Sequence, residues 1–289
     1  MEYHQDRFAD NSLLVFKDDK LLAILPANRV GDTLFSHQGL TYGGLVSHTK
    51  TKFQIVVELF KHILIHLESN DVKELIVRSL PQIYHKQPSD EMEYLLFKTK
   101  ADRFRCDILS VVKPGHCEIS RNRIEGVNRG KKHHLEIREV NDFSEFWNDI
   151  LTPNLSDKYK TNPVHSLNEI TLLKSKFPNN IRQFNVYQKE KIVAGTTIFE
   201  SDQVARSQYI SADSSKNSVG SHDFLHNFLL TTVFKSKPYF DFGISNENDG
   251  QQINTGLQYW KEGFGARSVV HNFYKVNTAN HILLNELML

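Results

Sequence analysis

The sequence predicts an α/β protein with a mixed sheet, organised as two copies of one unit, and three observations lead to this prediction. Short β-prone runs alternate with amphipathic helical segments along the whole chain. The run Phe16–Ala23 (FKDDKLLA) aligns with Tyr187–Ala194 (YQKEKIVA), and similar elements follow both runs. The segment 238–276 has the pattern strand, loop, helix, strand, which is typical of a crossover unit.

Composition describes an ordinary folded protein. The chain has 289 residues, which favours two domains over one, and its 39% hydrophobic and 24% charged residues exclude extensive disorder. Apolar runs are far shorter than the about 18 residues that a membrane-spanning helix needs. Residues 1–10 contain no apolar core of a signal peptide, so we expect a cytoplasmic protein without a membrane span.

Charge and metal-binding residue types narrow the function further. The net charge of +1 excludes a general attraction to nucleic acid or membranes and leaves room for a local basic patch. The two cysteines, Cys106 and Cys117, fit a reducing compartment and lack metal-site spacing. His62 and His66 have helical i,i+4 spacing, but no third ligand follows at a matching spacing. We therefore predict no metal site.

The first half should begin with a strand meander. Charged residues 17–20 separate the apolar runs 13–16 and 21–26, which predicts a hairpin. The elements expected next are strands in 33–46, a helix over 53–67, a strand over 75–80, a helix over 90–97 capped by Ser89, and a strand over 104–112. Three glycines in Ser36–Gly44 indicate either close approach of a ligand or a bulged strand without one.

A basic segment separates the halves. Arg121, Arg123, Arg129, Lys131 and Lys132 fall in a predicted linker helix with a glycine stop at Gly130. Its cations suit contact with phosphate or nucleic acid, and a solvated connector between domains is the alternative. The predicted domains are residues 1–118, the linker 119–134 and residues 135–289.

The second half repeats the alternation. The expected elements are a strand over 135–140, a helix over 142–150 capped by Asp142, a helix from Ser166, strands over 184–187, 192–199 and 204–211, a polar loop over 213–219, a helix over 224–234, a strand over 239–244, a helix carrying Leu257 and Trp260, and a strand over 268–276. Asp241, Ser245 and Glu247 fall at the carboxyl end of a strand, where open sheets bind ligands.

These residues resemble a known group of proteins. The element order of 135–276 is similar to the GNAT acyltransferase fold, and two such units joined by a basic helix resemble the Fem-like GNAT proteins. The segments that carry the resemblance are Ser36–Gly44, Ser120–Ile124, Phe240–Ser245 and Lys261–Ala266. The resemblance implies two tandem GNAT-like units, the first of them truncated, and covers nearly the whole chain.

The implied activity is that of an N-acyltransferase, in which an amine of a cell-envelope precursor or an amino sugar attacks a thioester or ester carbonyl. That reaction needs a base and a group that stabilises the oxyanion. The candidate bases are Asp241, Glu247 and His222. Candidates for substrate binding, expected in a cleft between the two units, are His37, Gln38, Tyr42, Arg78, Tyr209, Ser245, Lys261 and Tyr274.

Two acyl donors are possible, and a protein without acyl transfer is a third interpretation. GNAT proteins hold the coenzyme A pyrophosphate on a glycine-rich loop at a helix N-terminus. The residues here that match that loop are Lys216, Ser218, Gly220 and Ser221, without its usual spacing of basic residues and glycines. The donor is then a coenzyme A thioester, such as acetyl-coenzyme A, or an aminoacyl-tRNA bound through the linker cations. A binding protein that has lost the chemistry is the third interpretation.

Overall fold

The computed structural model describes residues 6–287, apart from the side chains of residues 158 and 159. The first five residues of the segment that we inspected for a signal peptide lie outside the described residues. The chain forms two compact units. Unit 1 contains the described residues of Met1–Asp107 and Val270–Leu289, and unit 2 is Ile108–Val269. The predicted boundaries at residues 118 and 134 stay a prediction.

Strands and helices alternate along the described residues. The strands are β1 Leu13–Lys17, β2 Lys20–Leu25, β3 Asn28–Val30, β4 Thr33–Phe35, β5 Val46–Ser47, β6 Glu74–Arg78, β7 Asp102–Val112, β8 Leu135–Val140, β9 Ile181–Gln188, β10 Lys191–Glu200, β11 Val204–Ala212, β12 Tyr239–Ile244, β13 Asn246–Glu247, β14 Gln252–Ile253 and β15 Arg267–Asn277. The α-helices are α1 Phe53–Ser69, α2 Glu91–Lys98, α3 Arg121–Lys132, α4 Thr152–Tyr159, α5 Leu167–Lys176, α6 Lys216–Val219, α7 Ser221–Phe228 and α8 Thr255–Glu262. The 3₁₀ helices are Gln82–Tyr84 and Thr278–Leu284, and the π-helical segments are Phe146–Leu151 and Leu229–Val233.

Unit 1 has two sheets on one core. β1, β2 and β5 form an antiparallel sheet, while β3, β4, β6 and the C-terminal part of β15 form a mixed one. β4 runs parallel to β6, and the pairing extends from Thr33↔Glu74 to Phe35↔Ile76. The apolar stripe of α1 is buried because every third or fourth residue of that helix is aliphatic or aromatic.

Unit 2 is built on the strand order β7, β12, β11, β10, β9, β8. β8 to β11 form an antiparallel meander, and β12 joins β11 as a parallel neighbour. The core lies between this sheet and α7, and it contains buried residues such as Phe184, Leu229, Phe240 and Phe264. Both units therefore combine helices with mixed sheets, which confirms the predicted α/β fold class.

Local sequence patterns predicted the positions of most strands and helices correctly. The hairpin of β1 and β2, the meander of β9 to β11 and the strand β12 lie where the patterns predict them. Ser166 begins α5 with a complete capping box, in which its hydroxyl accepts from the backbone N of Glu169. Asp142 accepts from the backbone N of Ser144 at 2.8 Å, and the helix predicted over 142–150 begins later, at Ser144.

Three details differ from the predictions. α3 continues through Gly130 to Lys132, because the glycine allows close packing and a Cβ there would lie 2.7 Å from Cβ of Phe224. α2 begins after Asp90, while the Ser89 hydroxyl donates to the Glu91 carboxylate at 2.9 Å and caps no backbone group. The predicted polar loop 213–219 contains the short helix α6.

Candidate functional site

The parallel strands β11 and β12 part before either strand ends. Their pairing covers Val204↔Tyr239 to Arg206↔Asp241, although β11 continues to Ala212 and β12 to Ile244. Beyond the last pair, the facing backbone edges of the two strands no longer bond to each other. The carboxyl ends of neighbouring parallel strands therefore open a crevice, which is where open α/β sheets bind ligands.

A buried ion pair lies at the last paired position. Asp241 is fully buried, and Arg206 donates from Nη1 to its Oδ2 atom, with the arginine side chain only 12% exposed. The backbone N of Gly243 donates to Oδ1 of Asp241 at 2.7 Å. Gly243 has φ +76°, a conformation that a residue with a Cβ adopts only with strain. The carboxylate thus holds both an arginine and a bulge in β12.

Lys261 reaches the same bulge from α8. Its Nζ donates to the carbonyl oxygens of Gly243 at 2.9 Å and Ile244 at 2.6 Å, and the residue is 1% exposed. Burial lowers the pKa of Lys261 to about 7, the nearby Asp241 charge opposes that shift, and Arg206 adds to it. The lysine is therefore poised to change its charge near neutral pH.

The loop after β12 brings two further candidates to this end of the strand. Ser245 is 2% exposed, and its Oγ is buried without a hydrogen-bond partner in the described part of the chain. The side chain of Asn254 caps α8 at Leu257, and its Nδ2 donates to Glu247 at 2.9 Å. Asp241, Ser245, Glu247 and Lys261 thus belong to one connected stretch, and their predicted roles stay predictions.

The other unit 2 candidates have different surroundings. The ring of His222, in the first turn of α7, lies 5.7 Å from the Trp260 ring. Tyr209 is buried with His165 and Trp147, and its hydroxyl accepts from the His165 backbone N at 3.0 Å. Both side chains therefore pack among aromatic rings, and their predicted roles stay predictions.

The N-terminus of α7 carries the predicted coenzyme A residues, and α3 packs against it. Gly220 has φ +72°, and a Cβ there would overlap with the carbonyl oxygen of Gly126 in α3. Ser221 is fully buried, and the Ser218 hydroxyl donates to the Ser215 carbonyl at 2.8 Å. Lys216 opens the short helix before it. The backbone at Gly220 therefore faces another helix.

An internal carboxylate lies in that same first turn. Asp223 accepts from Arg123 Nη1 and from Trp260 Nε1, both at 2.9 Å. Burial raises the pKa of Asp223, and the bonds from Trp260 and Arg123 oppose the rise. A negative group at a helix N-terminus is stabilised by the helix dipole. The protein itself therefore supplies an anion where the sequence predicts a bound phosphate.

The linker cations divide into two groups. Arg123 is held by Asp223, and the charge of the half-buried Arg129 also acts on that carboxylate. Lys131 and Lys132 are exposed in the last turn, and Arg121 forms an exposed i,i+4 pair with Glu125 at 2.9 Å. An exposed pair of this kind contributes little stability and leaves the arginine available to other ligands.

In unit 1, the glycine segment 36–44 folds over the end of β6. The backbone N of Gly43 donates to the Arg78 carbonyl at 2.8 Å, and Arg78 donates its own backbone N to Ser36 Oγ at 2.9 Å. The Gln38 backbone N donates to Asn28 Oδ1 at 2.8 Å. The segment is therefore fixed to β3 and β6, the strands on either side of β4.

The predicted site residues of unit 1 make different contacts within this arrangement. His37 is buried at φ +63°, in the left-handed region that histidine adopts more often than most non-glycine residues. The Tyr42 ring packs against Tyr84 at 4.6 Å. Tyr274 donates its hydroxyl to Glu93 at 2.7 Å, and burial together with that bond raises the pKa of Tyr274 to about 12. His37, Gln38, Tyr42 and Arg78 lie on one local structure, whereas Tyr274 contacts α2.

Solved structures show what the chain is similar to. No family model and no curated protein matches it. FemX matches with a TM-score of 0.68 at 7% identity, over 99% of this chain and 92% of that chain. The chain has the Fem-like GNAT fold.

Two lysylphosphatidylglycerol synthetase structures agree with this result. The C-terminal DUF2156 domain of a putative synthetase from Agrobacterium fabrum matches with TM-score 0.64 and 12% identity, over 96% of this chain and 88% of that chain. L-PGS from Bacillus licheniformis matches with TM-score 0.60 and 12% identity, over 99% of this chain and 95% of that chain. The predicted resemblance to the Fem-like GNAT fold is confirmed at the level of fold.

Arg206 is the site residue that sequence reasoning missed. It lies in a strand whose neighbours Val204 and Ala205 are buried, so its charge needs a partner inside the sheet. A lone arginine in an apolar strand, followed by an aspartate in the next strand, was the available signal.

Within the described residues of this Fem-like GNAT fold, no helix has the length and apolarity to cross a membrane, and no three side chains of metal-binding type cluster.

Proposed function

We propose that the protein is a Fem-like N-acyltransferase that transfers an aminoacyl group to an amine of a cell-envelope precursor or an amino sugar. The observation that carries this proposal is the opening between β11 and β12, which holds Arg206, Asp241 and Lys261 within a fold similar to FemX. The lysylphosphatidylglycerol synthetases with the same fold are named for a lipid, which supports an acceptor from the cell envelope.

In the proposed reaction, the amine nitrogen forms a bond to the ester carbonyl carbon and the bond to the leaving oxygen breaks. The proton that the amine loses ends on that oxygen, which leaves as a hydroxyl group. Arg206 and protonated Lys261 carry two positive charges against the one negative charge of Asp241. A negative charge that develops on the carbonyl oxygen near the end of β12 is therefore stabilised. Ser245, with its unpartnered hydroxyl among the described residues, is the proposed neutral donor to the same oxygen.

The amine must also lose a proton. Asp241 is buried and bound to Arg206 and Gly243, so we assign it the role of holding this end of the strand in place. Glu247 has an exposed carboxylate on the loop that follows, and we propose it as the base that takes the proton. His222 stays the alternative base.

We infer that the donor is an aminoacyl-tRNA. The coenzyme A interpretation needs free backbone N–H groups at the start of α7, but α3 packs there and Asp223 already supplies a carboxylate. The same helix exposes Arg121, Lys131 and Lys132 to solvent. These cations are suited to phosphates of a nucleic-acid backbone. A cytoplasmic location would give access to this donor.

The donor is tested by binding. Thermal-shift titration should show no saturable stabilisation with coenzyme A or acetyl-coenzyme A, and tRNA should bind with an affinity that falls steeply with salt. Lys131→Ala/Lys132→Ala should reduce the slope of log Kd against log salt by about one per lysine. The matched control, Lys17→Ala/Lys20→Ala, removes two exposed lysines from the β1–β2 turn and should leave the slope unchanged. A saturable shift with coenzyme A would instead establish a coenzyme A donor.

Turnover is tested separately, with aminoacyl-tRNA and a panel of envelope amines. Glu247→Gln should lower the transfer rate by about 10²–10⁴-fold without changing tRNA affinity, because only proton transfer is removed. Asp249→Asn changes a carboxylate two residues along the same loop and should keep the rate. Unchanged turnover in Glu247→Gln would return the base role to His222. A wild-type protein that binds tRNA and transfers nothing would support the non-catalytic interpretation.

A further inference from the structure

Arg78 is the last residue of β6, at the carboxyl end of the parallel pair that β6 forms with β4. The loop that leaves β4 is the glycine segment 36–44, and it folds back over this arginine. The position is the unit 1 equivalent of a ligand site in an open sheet, because both parallel strands end there.

The guanidinium of Arg78 is anchored on one side only. Nη1 donates to the carbonyl oxygens of Leu40 at 2.8 Å and Gln38 at 3.2 Å. Nε and Nη2 have no hydrogen-bond partner among residues 6–287, and neither atom is fully buried. Nε and Nη2 together form the edge that binds carboxylate or phosphate oxygens in pairs. That edge is therefore left for a ligand.

Charge around Arg78 also favours an anion. The neighbouring Arg105 is held by Asp107, from Nη2 at 2.8 Å and from Nε at 3.1 Å and 3.2 Å. Both guanidinium groups lie near the Phe273 ring, with the Arg105 carbon 4.7 Å and the Arg78 carbon 5.9 Å from its centroid. Burial and the Arg105 charge lower the pKa of Arg78, and Asp107 offsets part of this. Two arginines and one carboxylate leave a net positive charge.

The surroundings fix the arginine in place. A Cβ at Gly43 would overlap with the carbonyl oxygen of Ser36, so the two arms of the segment pass in direct contact. His37 holds a left-handed backbone conformation while it is buried. Residues held in such conformations often mark binding sites, where the surrounding structure maintains the strain. The loop thus keeps Arg78 pre-organised without a ligand.

We propose that Arg78 binds a phosphate or carboxylate group through its Nε–Nη2 edge. The site is defined by Arg78, the carbonyl groups of Gln38 and Leu40, and the Phe273 ring. This site lies within unit 1 and stands apart from the proposed transfer reaction.

The test uses the full chain and inorganic pyrophosphate, with phosphate and succinate as further probes, by isothermal titration calorimetry. Wild type should bind one equivalent. Arg78→Gln should weaken binding at least ten-fold, because a charge-assisted two-point contact is lost. Arg78→Lys keeps the positive charge but loses the paired donors of the Nε–Nη2 edge, so it should weaken binding to a smaller extent. Arg103→Gln removes an exposed arginine with the same change in net charge and should bind as wild type.

The outcomes separate a specific anion site from general charge attraction. Equal affinity in wild type and Arg78→Gln would overturn the site, and equal losses in Arg78→Gln and Arg103→Gln would reduce it to general charge attraction. If Arg78→Gln does not fold, Arg78→Lys decides alone.

Discussion

In each unit, an arginine lies near the end of a pair of parallel strands. The two arginines differ in the groups that bond to their guanidinium charge. Arg206 in unit 2 faces Asp241, which is fully buried and also holds the Gly243 bulge. The guanidinium of Arg78 in unit 1 donates hydrogen bonds only to the carbonyl oxygens of Gln38 and Leu40 among the described residues. A buried charge that is bonded to a counter-charge is part of the scaffold, while a half-buried charge without a bonded carboxylate is available to a ligand.

The comparison separates stability from binding. Removing one partner of a buried ion pair strands the other charge in the interior, so the pair of Arg206 and Asp241 should dominate stability. Removing Arg78 leaves two carbonyl groups that water can reach, so it should mainly affect binding. Substitutions in the two units measure how far this division holds.

Asp241→Leu should give the largest loss of stability, about 3–5 kcal/mol in the free energy of unfolding, because Arg206 is left buried without its counter-charge. Urea denaturation followed by circular dichroism measures the loss. The double variant Arg206→Met/Asp241→Leu removes both charges and should recover most of it. If the double variant is no more stable than Asp241→Leu, the loss comes from the bulge and not from the stranded arginine.

The same ion pair shows what the sequence could and could not predict. Hydrophobic period, turn residues and caps located the meander, β12 and α5, because these signals act within a few residues. Asp241, Ser245 and Lys261 were predicted from their place at the end of a strand and in a helix, and they do meet around one bulge. The partner of Asp241 lies 35 positions earlier in the chain, and the register of β11 against β12 brings it there.

Close helix packing was equally hidden from the sequence. Gly130 and Gly220 were predicted to end a helix and to bind phosphate, which are the local uses of glycine. In the structure, α3 packs on α7 and each of these glycines makes room for the other helix. Only the position of a distant element distinguishes the two uses.

Lys261 gives the Asp241 end of β12 a pH dependence that the Arg78 site lacks. The folded pKa of about 7 lies below the ordinary value of 10.5, so between these pH values the unfolded state binds more protons. Stability should therefore rise with pH from 7 towards 10, with a slope of up to about 1.4 kcal/mol per pH unit. Urea denaturation at pH 6 to 10 measures this, and Lys261→Met should lose the slope. An equal slope in both proteins would assign the titration to another group.

Gly243→Ala tests the bulge that Asp241 and Lys261 hold. Its φ of +76° should cost about 1–2 kcal/mol once a Cβ is present. Gly31 has φ +61°, and no atom of the described residues lies within 4 Å of the position that a Cβ would take, so Gly31→Ala reports backbone strain alone. Thermal unfolding of both variants should show a larger loss for Gly243→Ala, because strain there also displaces two hydrogen bonds. Equal losses would mean that the bulge adds nothing beyond its backbone conformation.

Arg78→Gln should have the smallest effect on stability, about 1 kcal/mol, because the lost bonds to two carbonyl oxygens are replaced in part by water. Urea denaturation should place it well above Asp241→Leu, with Arg103→Gln within about 0.5 kcal/mol of wild type as the surface control. Such a small loss together with weakened pyrophosphate binding would assign Arg78 to a ligand. A loss as large as that of Asp241→Leu would instead show that Arg78 stabilises the fold. The two arginines would then differ in their bonding partners but share a structural role.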